Sequence, residues 1–224
     1  MSARATPLTI QLPEAGATSG LLMAPAQAKA CFVFAHGAGA GMNHPFMTMV
    51  AAGLAERGIA TLRFQFPYMD KGSRRPDPPR VAQAAVRAAV RDAARRLPGL
   101  ALFAGGKSFG GRMTTQAQAA QPLDPVRGIV LLGFPLHPAG KPSTERAAHL
   151  ADVAVPMLFL QGTRDTLADL HLIEQTVGTL GQRATLHVVD GGDHSFHVLA
   201  RSGRNDDQVR IELLDTITGW IRAR

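Results

Sequence analysis

Cysteine is nearly absent from this 224-residue chain: Cys31 is the single one, so no disulfide can form within the chain. It sits inside the apolar run 30–35, where a thiol behaves as a small hydrophobe. No apolar run approaches the roughly 20 residues that cross a bilayer. Residues 1–11 show no basic start followed by an apolar stretch, so no export signal is read there, and the expected location is the cytoplasm. Internal repeats and an interdomain linker are also missing. Charged residues make up only 18% of the chain against 46% hydrophobic ones, which excludes a disordered polyelectrolyte and predicts one globular domain over 1–224.

Acidic residues are the scarcer sign, 17 against 24 basic ones, for a formal charge of +7. This favours anionic encounter partners without selecting one. Most of the basic residues are arginine, and several cluster in segment 71–96 as a surface patch.

Short apolar runs alternate with longer stretches of helical period, the pattern of a mostly parallel sheet with helices on both faces. Strands are expected at 8–12 and 20–23 as an antiparallel start around a turn at Pro13 and Gly16. The parallel body is expected at 31–35, 59–64, 100–104, 128–132, 157–160 and 184–189. Helices are expected at 46–57, 80–97, 109–120, 143–150, 167–180 and 207–221. In the second of these, Val81, Ala85, Ala88 and Ala89 are expected on the sheet, with Arg87, Arg91 and Arg95 as a solvent-facing stripe. Segment 67–79 holds four prolines and five charges, too irregular for an element and long enough to overhang a site.

After the strand ending near Ala104 comes Gly105-Gly106-Lys107-Ser108-Phe109-Gly110-Gly111, a G-x-S-x-G match that runs into a helix pattern. Strand, sharp turn and helix is the context a nucleophilic serine needs, because the turn lifts its Oγ into a cleft. The small residues two before and two after let strand and helix approach. The helix start aims N–H groups at a developing oxyanion, with the Phe109 N–H as one donor. A P-loop would need glycine at position 101, where Ala101 lies in a strand. His36-Gly37-Ala38-Gly39-Ala40-Gly41 supplies small residues for a second donor, Ala38 first and Gly39 next. A dinucleotide fingerprint there would need Gly or Ala where Met42 stands.

A serine needs a base and an acid after it in the order Ser, acid, His. Asp165 closes the turn after strand 157–160, and His194 lies in the loop after the last strand. His194 would take the Ser108 proton while Asp165 fixes its tautomer. His187 and His197 are the rival bases and Asp169 the rival acid, while Asp165 could instead cap a helix. The remaining histidines lack metal-ligand spacing, so neither metal nor cofactor is expected.

With HGAGAGMNHPFM, FPYMDKGSRRPDPP, GGKSFGGR, GFPLHP, GTRD and GGDHSFH in hand, the chain resembles the α/β-hydrolase superfamily from Ala30 to its final helix. It is most similar to a small lidless group related to dienelactone-hydrolase-like and testis-expressed-30-like proteins. The resemblance implies an α/β-hydrolase fold without a cap domain and a Ser108, Asp165, His194 triad. Two departures stand out: Ser108 replaces the cysteine of dienelactone hydrolases proper, and Thr166-Leu167-Ala168 stands where relatives often place proline.

The expected function is serine hydrolysis of an ester or related acyl bond. The substrate is then a small acyl compound, with pocket walls at 68–75 and 134–137 represented by Tyr68, Phe134 and His137. Arginines in those walls would favour an anionic acyl group. No membrane and no nucleic acid is expected as partner, and a homo-oligomer is left open. The alternative is a binding or regulatory module that keeps this scaffold and uses its basic face.

Overall fold

A computed structural model describes residues 3–13 and 16–224. Eight strands join one sheet: β1 (Thr6–Leu12), β2 (Gly16–Met23), β3 (Ala30–Ala35), β4 (Ile59–Phe64), β5 (Ala101–Lys107), β6 (Val126–Leu132), β7 (Met157–Gly162) and β8 (Ala184–Val189). Their order is β1-β2-β4-β3-β5-β6-β7-β8. β2 pairs antiparallel with both β1 and β4, and the six strands from β3 to β8 pair parallel with one another. Of the turn between β1 and β2, Glu14 and Ala15 lie outside the described residues.

A parallel strand covered on both faces must be apolar at every position, and alternate residues then enter different cores. Strand β3 shows this division. Cys31, Val33 and Ala35 belong to the core that α3 (Pro79–Arg96) and α4 (Phe109–Ala120) cover and that continues under α5 (Leu170–Leu180). Phe32 and Phe34 pack with α1 (Pro45–Glu56) and α6 (Asp206–Arg222) on the other face. Burial of Cys31 pushes its thiol up to about 12, so it stays protonated and inert. The α6 start carries a capping box from Asn205 and Gln208, with Asp206 and Asp207 between them at the positive end of the helix.

Three departures from the expected elements have physical causes. Segment 143–150 forms a 3-10 helix, Glu145–Asp152, in place of an α-helix. Its buried residues Ala147 and Leu150, followed by Val153, are spaced by three, which aligns side chains in a 3-10 turn. Segment 67–79 contains a short helix, α2 (Pro67–Asp70), and is fastened down. The Asp70 carboxylate accepts from Thr18 Oγ1 and the Ser19 N–H of β2, and Asp77 accepts from the Tyr68 N–H. The arginine stripe on α3 is only partly solvated. Arg87 donates to the carbonyls of Ala117 and Gln121 at the end of α4, and Arg95 pairs with Asp92, leaving Arg91 exposed.

The connection from β6 to β7 holds only the 3-10 helix, so no inserted domain covers the C-terminal ends of the parallel strands there. Among the described residues no helix is long and apolar enough to cross a membrane.

Clearance is small where β5 turns into α4 beside β3. A Cβ at Gly110 would lie 2.5 Å from the Ala35 carbonyl oxygen and 2.6 Å from that of His36. Gly110→Ala is therefore expected to cost about 3 kcal/mol of stability or more, read by urea denaturation. A second expectation concerns acid. His149 on the 3-10 helix bonds Thr115 Oγ1 of α4 at 2.8 Å, and burial and the Arg112 charge push its pKa down from 6.5 to about 4. As pH falls below 6.5 the unfolded chain takes up a proton that the folded chain refuses until about pH 4. The stabilisation from His149 is thus complete above 6.5 and lost across that window. His149→Gln should flatten the fall in thermal midpoint between pH 6.5 and 4.

Candidate active site

The β5–α4 junction holds Ser108 at φ 50°, ψ −115°, the left-handed side of backbone space that a serine rarely occupies. The surroundings leave the turn no alternative. The Ser108 N–H donates to the Leu132 carbonyl of β6, and Cβ atoms at Gly105 and Gly106 would stand 1.9 Å from Val130 O and 2.4 Å from Ala35 O. Gly106 and Gly110 of the G-x-S-x-G match are thus required by backbone contact with the end of β3, and Gly105 before it by contact with β6.

Three sequence-predicted residues meet here. His194 Nε2 lies 2.9 Å from Ser108 Oγ, and His194 Nδ1 lies 2.7 Å from Asp165 Oδ2. A carboxylate only accepts, so Nδ1 carries the proton donated to Asp165 and Nε2 is left to accept from the serine hydroxyl. The Asp165 side chain is wholly buried, whereas the His194 side chain keeps a quarter of its surface. Two further donors hold Asp165: Gln161 Nε2 at 2.6 Å on Oδ2 and the Leu167 N–H at 2.8 Å on Oδ1. The latter uses a backbone N–H, which a proline at 167 would lack. Helix α5 begins at Leu170, three residues later than expected, and Asp169 is its N-cap. The rival histidines are engaged elsewhere, His187 with Glu212 and His197 with Asp206.

The oxyanion loop is set from below by His36, which is fully buried. Its Nδ1–H donates to the Gly37 carbonyl at 2.7 Å and its Nε2 accepts from the Phe66 N–H at 3.0 Å, the neutral tautomer that burial favours by lowering its pKa. In a trans peptide the C=O and the next N–H point opposite ways. Tying Gly37 O to His36 therefore turns the Ala38 N–H away from that carbonyl, and Ala38 is among the residues lining the cavity at Ser108. Phe109 is the first residue of α4, where an N–H has no carbonyl one turn back. Gly39 does not serve: its N–H donates to Tyr68 Oη at 2.8 Å.

The cavity at Ser108 has a volume of about 350 Å3, with Phe46, Met47 and Leu167 as apolar walls. Tyr68, Phe134 and His137, expected as walls, are buried and lie outside this lining. Tyr68 supports the oxyanion loop, Phe134 packs edge-on to Phe159, and His137 Nε2 accepts from the Asp169 N–H. Neither Arg74 nor Arg75 lines it, so the expected basis for an anionic preference is absent from its walls. Gln161, Gly133 and the structural role of Tyr68 escaped sequence reasoning. Only Gln161 left a signal, a polar residue within the apolar strand MLFLQG. Among the described residues no group of three His, Cys, Asp or Glu side chains could hold a metal ion.

Solved structures similar to this one share its architecture. A lidless α/β serine hydrolase from Xanthomonas campestris is 24% identical, with 97% of this chain and 95% of that one covered at a TM-score of 0.76. Dienelactone hydrolase from Anabaena variabilis is 20% identical, with 100% and 99% covered at 0.79. An α/β serine hydrolase homologue from Coxiella burnetii is 22% identical, with 94% and 96% covered at 0.76. At these identities they establish the fold. The sequence itself matches the alpha/beta hydrolase domain over residues 28–222, so this chain belongs to the α/β-hydrolase family.

Proposed function

We propose that the protein is a serine hydrolase that cleaves an ester or thioester of a small acyl group through an acyl-enzyme intermediate. The observation that carries this reading is the continuous relay from Ser108 Oγ through His194 to the buried Asp165, at 2.9 and 2.7 Å.

The steps follow from the geometry. Ser108 Oγ attacks the substrate carbonyl while His194 Nε2 takes its proton. Asp165 keeps Nδ1 protonated and offsets the imidazolium charge, and its own three hydrogen bonds keep it from turning away. The carbonyl oxygen becomes an oxyanion between the N–H groups of Ala38 and Phe109. His194 then returns the proton to the departing alcohol or thiol. Water repeats the sequence on the acyl-serine, and Ser108 is regenerated. The cavity volume of about 350 Å3 is at the small end for ligand sites, which suits a short acyl chain. A cytoplasmic place of action accords with a lone, inert Cys31.

A fluorophosphonate probe is expected to label the wild type and not Ser108→Ala, and turnover of p-nitrophenyl acetate or butyrate should fall at least ~10³-fold in that variant. Asp165→Asn should lose roughly 10³- to 10⁴-fold in kcat with little change in KM, because the imidazole then adopts the wrong tautomer. Labelling that persists in Ser108→Ala would overturn the assignment. Folded wild type that resists serine probes while binding nucleic acid in a salt-sensitive manner would favour the basic binding module.

A further inference from the structure

The proposed reaction does not use Lys107, although its ammonium lies inside the site. It is the last residue of β5 and immediately precedes the nucleophile. Its Nζ donates to the His194 carbonyl at 2.5 Å and lies 5.6 Å from the centroid of the Phe196 ring. A Cβ on Gly133 would come within 3.0 Å of Nζ and 3.5 Å of His194 Cε1, so the absence of a side chain after β6 leaves the seat that ammonium and imidazole share.

The loop so gripped needs restraint. Residues 190–199 carry no helix or strand, and Phe196 sits at φ 64°, a conformation a bulky residue holds only when its surroundings over-determine it. Stacking on Phe46 fixes the Phe196 ring from one side, and Asp193 ties the loop to itself through the N–H groups of Ser195 and His197. Arg164 holds the carbonyls of Gly191 and Gly192. None of these contacts joins the base to the strand of the nucleophile, and Lys107 does.

We propose that Lys107 is a positioning residue for the base: by holding the His194 carbonyl and the Phe196 ring from the strand that carries Ser108, it keeps His194 Nε2 at the serine hydroxyl through both proton transfers. This rests on the proposed serine-hydrolase reading. A compact ammonium on a flexible stem suits the seat, and the chain, which otherwise prefers arginine, places one of its few lysines there. Holding a cation in this place is costly. Burial pushes the Lys107 pKa down from 10.5 to about 8, and the Asp165 and Asp193 carboxylates only partly offset that. The charged groups facing it are those two carboxylates, from the loops after β7 and β8, with the titratable His194 imidazole beside them.

Lys107→Met tests this on the full-length chain. At pH 7, kcat for p-nitrophenyl acetate should fall at least tenfold with KM within threefold of wild type, and Lys107→Arg, which returns a charged donor, should recover at least fivefold over the Met variant. The downfield imidazole proton shared with Asp165, absent in His194→Ala, should broaden in Lys107→Met, a readout independent of turnover. Thermal midpoints separate positioning from folding. Between pH 8 and 10.5 the unfolded wild type binds a proton that the folded form has released, so its stability should rise relative to Lys107→Met across that window. A Met variant with kcat within twofold of wild type, or with the imidazole signal unchanged, would overturn the proposal while leaving the loss of activity in Ser108→Ala intact. Should Lys107→Met fail to fold, Lys107→Arg with the imidazole signal lost would overturn it equally. Absence of turnover in the wild type itself would count against the serine-hydrolase reading, and the imidazole signal would still decide the role of Lys107.

Discussion

Backbone against backbone, without side chains between, is the constraint on which the rest of this structure depends. Where β5 leaves the sheet, the carbonyls of Ala35 and Val130 stand so close that Gly105, Gly106 and Gly110 have no room for a Cβ. That closeness forces the sharp turn, and the turn holds Ser108 at positive φ with its N–H on β6. The strain is local and is held by the sheet: β5 is paired along its length with β3 on one side and β6 on the other. The rigidity of the proposed nucleophile is thus a consequence of parallel strand packing and needs no device of its own.

The base is held differently. His194 is on a loop, and a loop residue must be tied down by contacts it does not generate itself. The ties come from the ends of two strands, Asp165 after β7 and Lys107 at the end of β5, and Gly133 after β6 leaves the room they need. Asp165 is in turn immobilised by Gln161 and the Leu167 N–H, so the chain of support ends in backbone and a strand residue. The loop after β3, proposed to supply an oxyanion donor, is held in the same way by His36, Tyr68 and Gln65. Each group of the proposed relay is therefore mounted on residues that lie outside the relay itself.

Much of this was legible beforehand, for identifiable reasons. The strands of the parallel body are apolar at successive positions because helices cover both faces, which makes them stand out in the sequence. The reacting residues follow motifs whose spacing is local: Gly106 to Gly110 must lie within five positions, and the oxyanion glycines follow β3 at once. The pocket walls were misassigned because they depend on distances across the fold. Tyr68 and His137 belong to segments near the strand ends, as expected, but their polar tips satisfy backbone N–H groups of Gly39 and Asp169 and so point away from the cavity. Segment 67–79 read as an overhang because its prolines and charges break local periodicity. Its carboxylates, Asp70 and Asp77, found backbone partners instead.

The sequence by itself determined the sheet, its helices and the identity of the groups at the turn, because hydrophobic period and glycine placement act over a few residues and are written there directly. Only the tertiary structure decided which N–H groups were free to face a substrate, which aromatic rings lined the cavity and what held the base. Those outcomes turn on hydrogen bonds between residues far apart in the chain, such as Gly39 with Tyr68 and Lys107 with His194. No pattern along the chain encodes such pairs, since each exists only after packing has brought the strand ends together.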